Sequence, residues 1–534
     1  MKRLLLGAMI GLALVAVGRT VDWKRISVDG LQGTLNDQVG YISVARHLAD
    51  GRGMVSSIIY PSVLRQAVSK NTLYMPGFYW VLALTYKLFG YSVVVSFFPA
   101  LASYLVACGL TYWVADRLYG TGAGTYALAL FAFFPLCLVF AFTAMAEMPV
   151  VAAGLAGFAV FLWALGGEKR ISENSTIGNE REEPGTPGER SSGNRGMCWR
   201  AVGASALAVI VPLLFRETAV VVGLVILAVL LARAGSGRRM ATVAATLMAG
   251  AVVAVMLSPI GAGRPSLWRA DVLAEGDPKV LYADAFAMGN LPSGVRDWAD
   301  ALGGNFRDNA RNLVWRSQDA DGWVEKSAVW FLLSGIPLGA WRWRRRRDGF
   351  AGGVSAAVAV LLAADLSCYD IWGYHGVRAF LVMEPFVAIL WGVELQRWLR
   401  ERGRWRQTLA VAACFVAGTA GAVLVMRGQA EVNADTLEDT EFLESLRPNN
   451  QMLVASPYDI SLGYVQEHYP VRWAFLPSDC RTMRLLDERY RIGTVVLPES
   501  AASGEMLQGC GLGFSSEEQE HAGVRYRVLR RENL

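Results

Sequence analysis

The sequence predicts an α-helical polytopic membrane protein that carries a small extracytoplasmic α/β domain at its carboxyl end. Three observations lead to this fold class. The 534 residues are 53% hydrophobic and only 18% charged, whereas a soluble globular protein carries about 25% charged residues. About eleven apolar runs approach the length of about 20 residues that a membrane helix needs. Finally, Lys and Arg collect in alternate connections between these runs, as they do in membrane proteins.

The first apolar run covers residues 4–17 and follows Lys2 and Arg3. A basic start with a short apolar core is typical of a signal peptide as well as of a first span. No clear small-residue cleavage motif followed by a soluble protein is present, so we interpret the run as a retained span. The other expected spans lie near residues 92–115, 122–142, 147–165, 201–215, 218–232, 241–260, 327–340, 350–366, 379–395 and 409–426.

The basic residues predict the orientation. Lys2 and Arg3 precede the first span, and strongly basic connections read WRWRRRR at 341–347 and RWLRERGRWR at 397–406. The opposite short turns offer only Arg216 and Arg378. The positive-inside rule therefore places the amino terminus in the cytoplasm and the carboxyl terminus outside, in the plasma (inner) membrane.

One further apolar stretch, residues 77–89, is shorter than a span and contains Lys87. A full span there would move the first two residues to the opposite side from every later basic connection. We therefore interpret it as a helix lying in or dipping into the outer interface.

This arrangement divides the chain into a membrane domain, residues 1–427, and a soluble domain, residues 428–534. Two outer loops interrupt the membrane domain at 19–91 and 261–326. The inner connection, residues 166–200, is rich in Ser, Gly, Glu and Arg. A segment with so few apolar residues cannot bury a core, so we expect a disordered cytoplasmic linker.

The tail alternates strand-like and helix-like segments, which predicts an α/β domain. The expected strands cover residues 452–455, 471–475, 494–497 and 524–529, and the expected helices cover 436–446 and 480–490. Cys480 and Cys510 both lie in this tail. They could form a disulfide if the tail is extracytoplasmic, although two cysteines in one domain need not be close. No Gly-rich phosphate loop follows a strand, so no nucleotide site is inferred.

Ionisable residues near membrane spans are costly and commonly functional. Asp37 follows the first span at the start of a helix-like stretch, where it could accept a proton or cap the helix. Glu147 precedes Pro149 at the outer end of a span, where helix initiation is the favoured explanation of this residue taken alone. Arg216 and Glu217 occupy an outer turn, as a simple salt bridge or as a cationic site for phosphate.

A fourth polar cluster crowds the outer turn at residues 367–386. It contains Tyr374, His375 and Arg378. Arginine suits phosphate because its planar fork donates two parallel hydrogen bonds. The alternative is an interfacial aromatic belt with an arginine that reaches toward the headgroups. All four clusters lie on the outer side of the expected topology, which favours one outward-facing site at the membrane surface.

The order of these motifs resembles the GT-C glycosyltransferases, specifically the branch of protein O-mannosyltransferases and lipid A aminoarabinose transferases. In that family one span precedes an outer loop with an acidic motif, a tyrosine and an ARNL-like helix. The corresponding residues are Asp37, Tyr41 and ARHL at 45–48. A Pro-containing entry to a helix ending in YKLFG follows, here from Tyr74 to residue 90.

Three later elements continue the resemblance, which covers roughly residues 1–400. They are AEMP at 146–149, FRE at 215–217, and VRAF at 377–380 followed by Glu384 and Pro385. No single motif is specific, so the order and spacing carry the resemblance. Many members have Asp-Glu where this chain has Asp37 and Gln38. That departure removes a second carboxylate and weakens the case for a divalent metal, and no other cofactor is expected.

The resemblance implies a GT-C fold and a membrane glycosyltransferase, of hexosyl- or pentosyltransferase type, that inverts the anomeric centre. The donor would be a sugar on a polyprenyl phosphate, and the acceptor a hydroxyl of a lipid, glycan or protein. Nucleic acid is not an expected partner. The implied site consists of Asp37 and Glu147 as catalytic groups, of Arg216, Arg378, His375 and Lys87 as donor-phosphate ligands, and of Tyr41, Arg46, Tyr74, Glu217 and Tyr374 as substrate-positioning groups.

Two other function classes remain as alternatives. A transporter or lipid flippase would show paired repeats and broken spans that meet at the midplane, and no convincing half-to-half repeat is present. A non-enzymatic envelope assembly or sensor protein would leave Asp37 and Arg378 without a shared role.

Overall fold

The computed structural model is predominantly helical in the part of the chain that it describes. The described residues are 2–21, 23, 36–53, 58–59, 76–165, 193–233, 303–304, 307, 320–368, 378, 380–446, 453–456, 473–475, 480–498, 510–521 and 523–531. The helices before the 166–192 gap are α1 (Lys2–Gly18), α2 (Asn36–Ala49), α3 (Pro76–Phe89), α4 (Val93–Tyr119), α5 (Thr121–Ala132), α6 (Pro135–Phe140) and α7 (Glu147–Ala164).

The later helices follow the same alternation of apolar segment and short turn. They are α8 (Gly193–Leu213), α9 (Val221–Arg233), α10 (Ala320–Leu333), α11 (Gly335–Arg346), α12 (Gly349–Cys368), α13 (Glu384–Arg400), α14 (Arg404–Ser445) and α15 (Cys480–Tyr490). Two 3₁₀ turns, Glu217–Val220 and Leu381–Met383, precede α9 and α13.

Three of the described helices are long and apolar enough to cross a membrane: Val93–Tyr119, Glu147–Ala164 and Arg404–Gly428. Shorter apolar helices occupy other expected spans, at Leu4–Gly18, Gly122–Ala132, Gly203–Leu213, Val221–Leu230 and Gly349–Ala363. The span expected at 241–260 and the outer loop expected at 261–326 lie largely or wholly outside the described residues.

The helix boundaries differ from the expected segments at several places. The segment expected at 122–142 is divided into α5 and α6 because Pro135 has no N–H to continue the helix and instead begins the next one. The segment expected at 327–340 is also divided, because Ser334 separates α10 from α11. The last eight residues of the interval expected as a linker, 193–200, begin α8. Helix α14 runs without a break past the expected domain boundary at 428.

The helices pack closely where small residues face each other. Helix α13 contacts α5, and a Cβ added at Gly392 would come within 2.6 Å of the backbone N of Ala127. Helix α7 contacts α8 equally closely, since a Cβ added at Gly157 would come within 2.6 Å of the Cα of Ala208. Small residues of this kind let backbones approach in membrane bundles. The pairing of α7 with α8 positions the candidate site described below.

A six-stranded mixed sheet joins the tail to the segment that follows α1. Its strands are β1 (Ile58–Ile59), β2 (Leu453–Ser456), β3 (Trp473–Phe475), β4 (Ile492–Pro498), β5 (Phe514–His521) and β6 (Val524–Arg531), in the order β1-β3-β2-β4-β6-β5. Strands β1 to β4 pair in parallel, and β6 is antiparallel to both β4 and β5. The expected strands are all present within a few residues, whereas β1 and β5 were not expected.

Helix α15 has the ends that its sequence predicts, and its Met483 and Leu486 are buried. Cys480 at its start forms a disulfide with Cys510, with the Cα atoms 5.1 Å apart. A cross-link across 30 residues stabilises a fold by about 3–4 kcal/mol in the chain-entropy account. The sequence left open whether Cys480 and Cys510 are close enough to pair, and the structure shows that they are.

The carboxyl end of α14 contacts the sheet directly. The Phe442 ring stacks on His521 and packs against Tyr526, both with ring centroids 4.8 Å apart. Arg530 donates a hydrogen bond to the Leu446 carbonyl at 2.8 Å. A helix of 42 residues is about 63 Å long, so it exceeds the hydrocarbon thickness of about 30 Å and can carry the sheet beyond it.

Candidate active site

Glu147 is the centre of a buried ion-pair cluster at the start of α7. Only 2% of the residue is exposed, and it lies in the first turn of its helix, where the positive end of the helix dipole favours a carboxylate. Its Oε2 atom is buried and has no hydrogen-bond partner among the residues that the structure describes. One oxygen is therefore available to a group that is not part of this arrangement.

Arg216 donates to the other carboxylate oxygen. Its Nη1 lies 2.5 Å from Glu147 Oε1. The arginine follows the carboxyl end of α8, where its backbone N–H donates to the Pro212 carbonyl at 3.2 Å. Since α7 and α8 are packed together, the salt bridge crosses between the start of one helix and the end of the next.

Arg378 approaches the same carboxylate from a third element. Its Nη1 lies 3.7 Å from Glu147 Oε1, and its side chain is 11% exposed. The residue precedes the 3₁₀ turn Leu381–Met383, which contacts α7. The structure therefore brings together three residues that the sequence placed in separate outer turns.

Among the side chains that the structure describes here, two guanidinium groups on one carboxylate leave a net positive charge. Arginine forks match the geometry of phosphate oxygens, and a partly dry surrounding strengthens such contacts. The cluster can therefore bind an anion while Glu147 holds the arginines in place. Loss of both arginines would leave Glu147 as an uncompensated buried charge, which typically costs 3–5 kcal/mol, so this arrangement is also important for folding.

Gln38 connects the segment after α1 to this site, and its role was not expected from the sequence. It is 2% exposed, and its Oε1 accepts a hydrogen bond of 2.7 Å from the backbone N–H of Ala144. Ala144 lies in the turn that leads into α7. The first turn of α2, which contains Asp37, is consequently held beside the turn that precedes Glu147.

The amino end of α3 adds a second backbone contact to the site. The Gly77 N–H donates to the Leu214 carbonyl at 2.8 Å, two residues before Arg216. A Cβ at Gly77 would come within 2.6 Å of that carbonyl oxygen, so only glycine permits the approach. Lys87, in contrast, is exposed in the last turn of α3, about 15 Å farther along the helix axis.

Two predicted positioning residues lie where α2 packs on its neighbours. Tyr41 is buried, with ring centroids 5.0 Å from Phe78 and 5.2 Å from Tyr79. The Arg46 guanidinium lies 3.8 Å from the Tyr91 ring centroid. These contacts attach α2 to α3 and to the start of α4, and they leave the predicted role in substrate positioning as a prediction.

The structure describes the remaining predicted site residues only in part. Tyr74, Tyr374 and His375 lie outside the described residues. Asp37 is in the first turn of α2 and Glu217 is in the 3₁₀ turn before α9, but only their backbones are described. Among the residues that the structure describes, no group of three His, Cys, Asp or Glu residues could hold a metal ion.

Glu384 does not join this cluster. It begins α13, is fully buried and accepts a hydrogen bond from the Cys137 thiol at 3.8 Å. Its place in the first turn of α13, directly before Pro385, is typical of a helix start.

Comparison with known proteins identifies the fold. No protein-family model matches the sequence, and no curated protein is significantly similar to it. The structure is similar to that of ArnT from Cupriavidus metallidurans bound to undecaprenyl phosphate, with a TM-score of 0.58, 13% identity and 98% of each chain covered.

A second similar structure is the oligosaccharyltransferase of Archaeoglobus fulgidus tethered to an acceptor peptide that contains the NVT sequon. Its TM-score is 0.51 at 12% identity, with 92% of this chain and 68% of that chain covered. Both proteins are GT-C superfamily members. The chain described here has the GT-C fold, as the resemblance of its motifs predicts.

Proposed function

We propose that this chain is a membrane glycosyltransferase that moves a sugar from a polyprenyl-phosphate donor to an acceptor hydroxyl on the outer face of the membrane. The observation that carries the proposal is the cluster of Arg216 and Arg378 around Glu147, within a fold whose neighbour was solved with undecaprenyl phosphate. A site of fixed positive charge beside a carboxylate suits a reaction in which a phosphate leaves.

The proposed reaction is a displacement at the anomeric carbon. The acceptor oxygen attacks that carbon as its proton passes to Asp37, acting as general base. The bond from the anomeric carbon to the phosphate oxygen breaks, and polyprenyl phosphate leaves. Arg216 and Arg378 stabilise the negative charge that grows on the phosphate. Attack opposite to the leaving group inverts the anomeric centre.

Glu147 has a positioning role in this mechanism. Its Oε1 atom holds both arginines, and its Oε2 atom, which has no hydrogen-bond partner among the described residues, is proposed to accept a hydrogen bond from an acceptor hydroxyl. His375 is proposed as a weaker ligand of the phosphate, whereas Lys87, exposed about 15 Å farther along α3, would act only through its long-range charge. Tyr41, Arg46, Tyr74, Glu217 and Tyr374 are proposed to shape the surrounding groove.

The sheet supports a proposed topology with the tail outside. Strand β1, from the segment after the first span, pairs with β3 of the tail. Strands of one sheet lie on one side of the membrane, so an even number of spans must separate them. Ten expected spans, the second to the eleventh, lie between β1 and the tail, and ten is an even number. The disulfide between Cys480 and Cys510 agrees with an oxidising, extracytoplasmic compartment.

A fusion experiment tests this topology. A reporter that is active only in the cytoplasm, joined after Leu534, is expected to be silent, and one that is active only outside is expected to give signal. The same pair of reporters inserted within residues 173–192 serves as the matched control and should give the opposite result. Cytoplasmic signal from the Leu534 fusion would contradict the eleven-span count.

The activity itself is tested with membranes that contain this protein and a panel of radiolabelled polyprenyl-phosphate sugars. Transfer of label to a lipid, glycan or protein acceptor is expected with at least one donor. Membranes prepared in the same way without this protein provide the control. Label transfer that is equal in both samples would assign the activity to another protein.

Gln38 provides a test of how the site is positioned. Gln38→Met keeps the size of the side chain but removes the acceptor for the Ala144 N–H. We expect kcat to fall roughly 10- to 100-fold, since small misplacements of catalytic groups have effects of this size. The donor KM should change little because the phosphate-binding arginines lie on other elements.

Gln38→Glu is the matched control, since its carboxylate can still accept the hydrogen bond from Ala144. Turnover should largely recover in this variant. Equal loss in both variants, or unchanged kcat in Gln38→Met, would contradict the positioning role.

A further inference from the structure

A surface of clustered arginines lies at the edge of the bundle where α11 and α13 end and α14 begins. We call this surface the basic edge and define it by eight exposed arginines: Arg344, Arg345, Arg346, Arg347, Arg400, Arg402, Arg404 and Arg406. The proposed transfer reaction uses none of them.

A buried ion network holds the two parts of the basic edge together. Arg342 is 1% exposed and donates to Asp348 at 2.6 Å and 3.0 Å and to Glu394 at 2.5 Å. Arg397 donates to the same oxygen of Glu394 at 2.7 Å. These two arginines and two carboxylates balance in charge, and Tyr119 adds hydrogen bonds to Asp348.

The network does not neutralise the arginines of the basic edge. Arg342 lies four residues before the end of α11, and Glu394 lies six before the end of α13. The ends of both helices therefore lie within about 10 Å of the Arg342–Glu394 ion pair, measured along the helix axes. Glu401 is the acidic residue that the sequence places among the eight arginines, which leaves a strong positive excess on an exposed surface.

Favourable interaction with helix dipoles explains the positions of only some of these arginines. Arg344, Arg345, Arg346 and Arg400 lie in last turns, where cations are favourable. Arg404 and Arg406 lie at the start of α14, where the dipole disfavours cations, and no acidic residue occupies that first turn. An external anion would compensate both the arginines and the exposed N–H groups there.

Exposed tryptophans place the basic edge at the level of lipid headgroups. Trp341, Trp398 and Trp405 are 41%, 55% and 66% exposed, and tryptophan collects at the interface between membrane and water. The guanidinium of Arg402 lies 4.0 Å from the Trp398 ring centroid, and that of Arg406 lies 5.2 Å from the Trp405 ring centroid. The rings thus hold the arginines where phosphates of the adjacent leaflet lie.

We propose that the basic edge binds anionic phospholipid, with arginine forks on the lipid phosphates. Both 341–347 and 397–406 take their positive charge from arginine alone. The planar fork matches phosphate, which a lysine ammonium contacts only as a point charge.

The test uses the purified full-length chain in neutral detergent, with bound lipid measured by native mass spectrometry. Phosphatidylglycerol is expected to bind at least tenfold more tightly than phosphatidylcholine with the same acyl chains. Arg404→Gln/Arg406→Gln should lose roughly fivefold in phosphatidylglycerol affinity for each arginine removed. This variant should fold normally because it relieves an unfavourable dipole contact.

Three comparisons make the result specific. Arg404→Lys/Arg406→Lys should give an intermediate loss, and Arg481→Gln/Arg525→Gln, on exposed positions of the tail, should give none. Millimolar inorganic phosphate should not displace the lipid. Equal binding of the two lipids, equal loss in the tail variant, or displacement by free phosphate would each overturn the proposal.

Discussion

Asp37→Asn is expected to lower turnover roughly 10²- to 10⁴-fold, the usual contribution of a positioned general base. The substitution keeps the size and hydrogen-bonding capacity of the side chain but removes the proton acceptor. The affinity for the donor should change little, because the proposed phosphate ligands Arg216 and Arg378 lie on other elements. The measurement is kcat and donor KM with a polyprenyl-phosphate sugar that the wild-type protein uses.

The capping alternative predicts a different result for the same variant. Asparagine caps a helix about as well as aspartate, and a carboxylate in a first turn contributes only about 0.3–1 kcal/mol through the dipole. A merely structural Asp37 would therefore leave turnover nearly normal. Near-normal turnover of a well-expressed Asp37→Asn protein would show that Asp37 is not the base.

Arg378→Ala is expected to weaken donor binding as well as turnover. A hydrogen bond to a charged group contributes about 1.5–3 kcal/mol, so donor affinity should fall roughly 10- to 150-fold. Folding should be retained because Arg216 still pairs with Glu147 at 2.5 Å. The measurements are the donor KM and the binding of undecaprenyl phosphate to the purified protein.

Arg378→Lys is the matched control for this prediction. It restores the positive charge without the planar fork, so donor affinity should recover only in part. Unchanged binding of undecaprenyl phosphate by Arg378→Ala would contradict the assignment of Arg378 as a phosphate ligand. Comparison with Asp37→Asn separates the two roles, since only the arginine variant should alter donor binding.

Several features of the fold follow from local patterns. The apolar runs predict the helices that begin at Val93, Glu147 and Gly349, because apolar length is read directly from the chain. The amphipathic helix Cys480–Tyr490 has the ends that its sequence predicts. Breaks inside apolar runs are harder to predict: Pro135 ends one helix and begins another within a segment that remains apolar throughout.

The strands show where local pattern is insufficient. Strand β1 has only two residues and exists because β3 pairs with it. Strand β5 reads FSSEEQEH, which is too polar for a strand by pattern, and it is held by its antiparallel partner β6. Pairing across the sheet decides both assignments, because a strand's hydrogen bonds are made with another segment.

By itself, the sequence determined the membrane class, the positions of most apolar helices, and the charged residues in the turns between them, because each of these depends on neighbours along the chain. Only the tertiary structure decided that Glu147 lies between Arg216 and Arg378, that Gln38 holds Ala144, and that Cys480 meets Cys510. Except for the disulfide, these contacts join residues at least 69 positions apart. They form because close helix packing brings separate turns together, and a periodic pattern carries no information about which turns will meet.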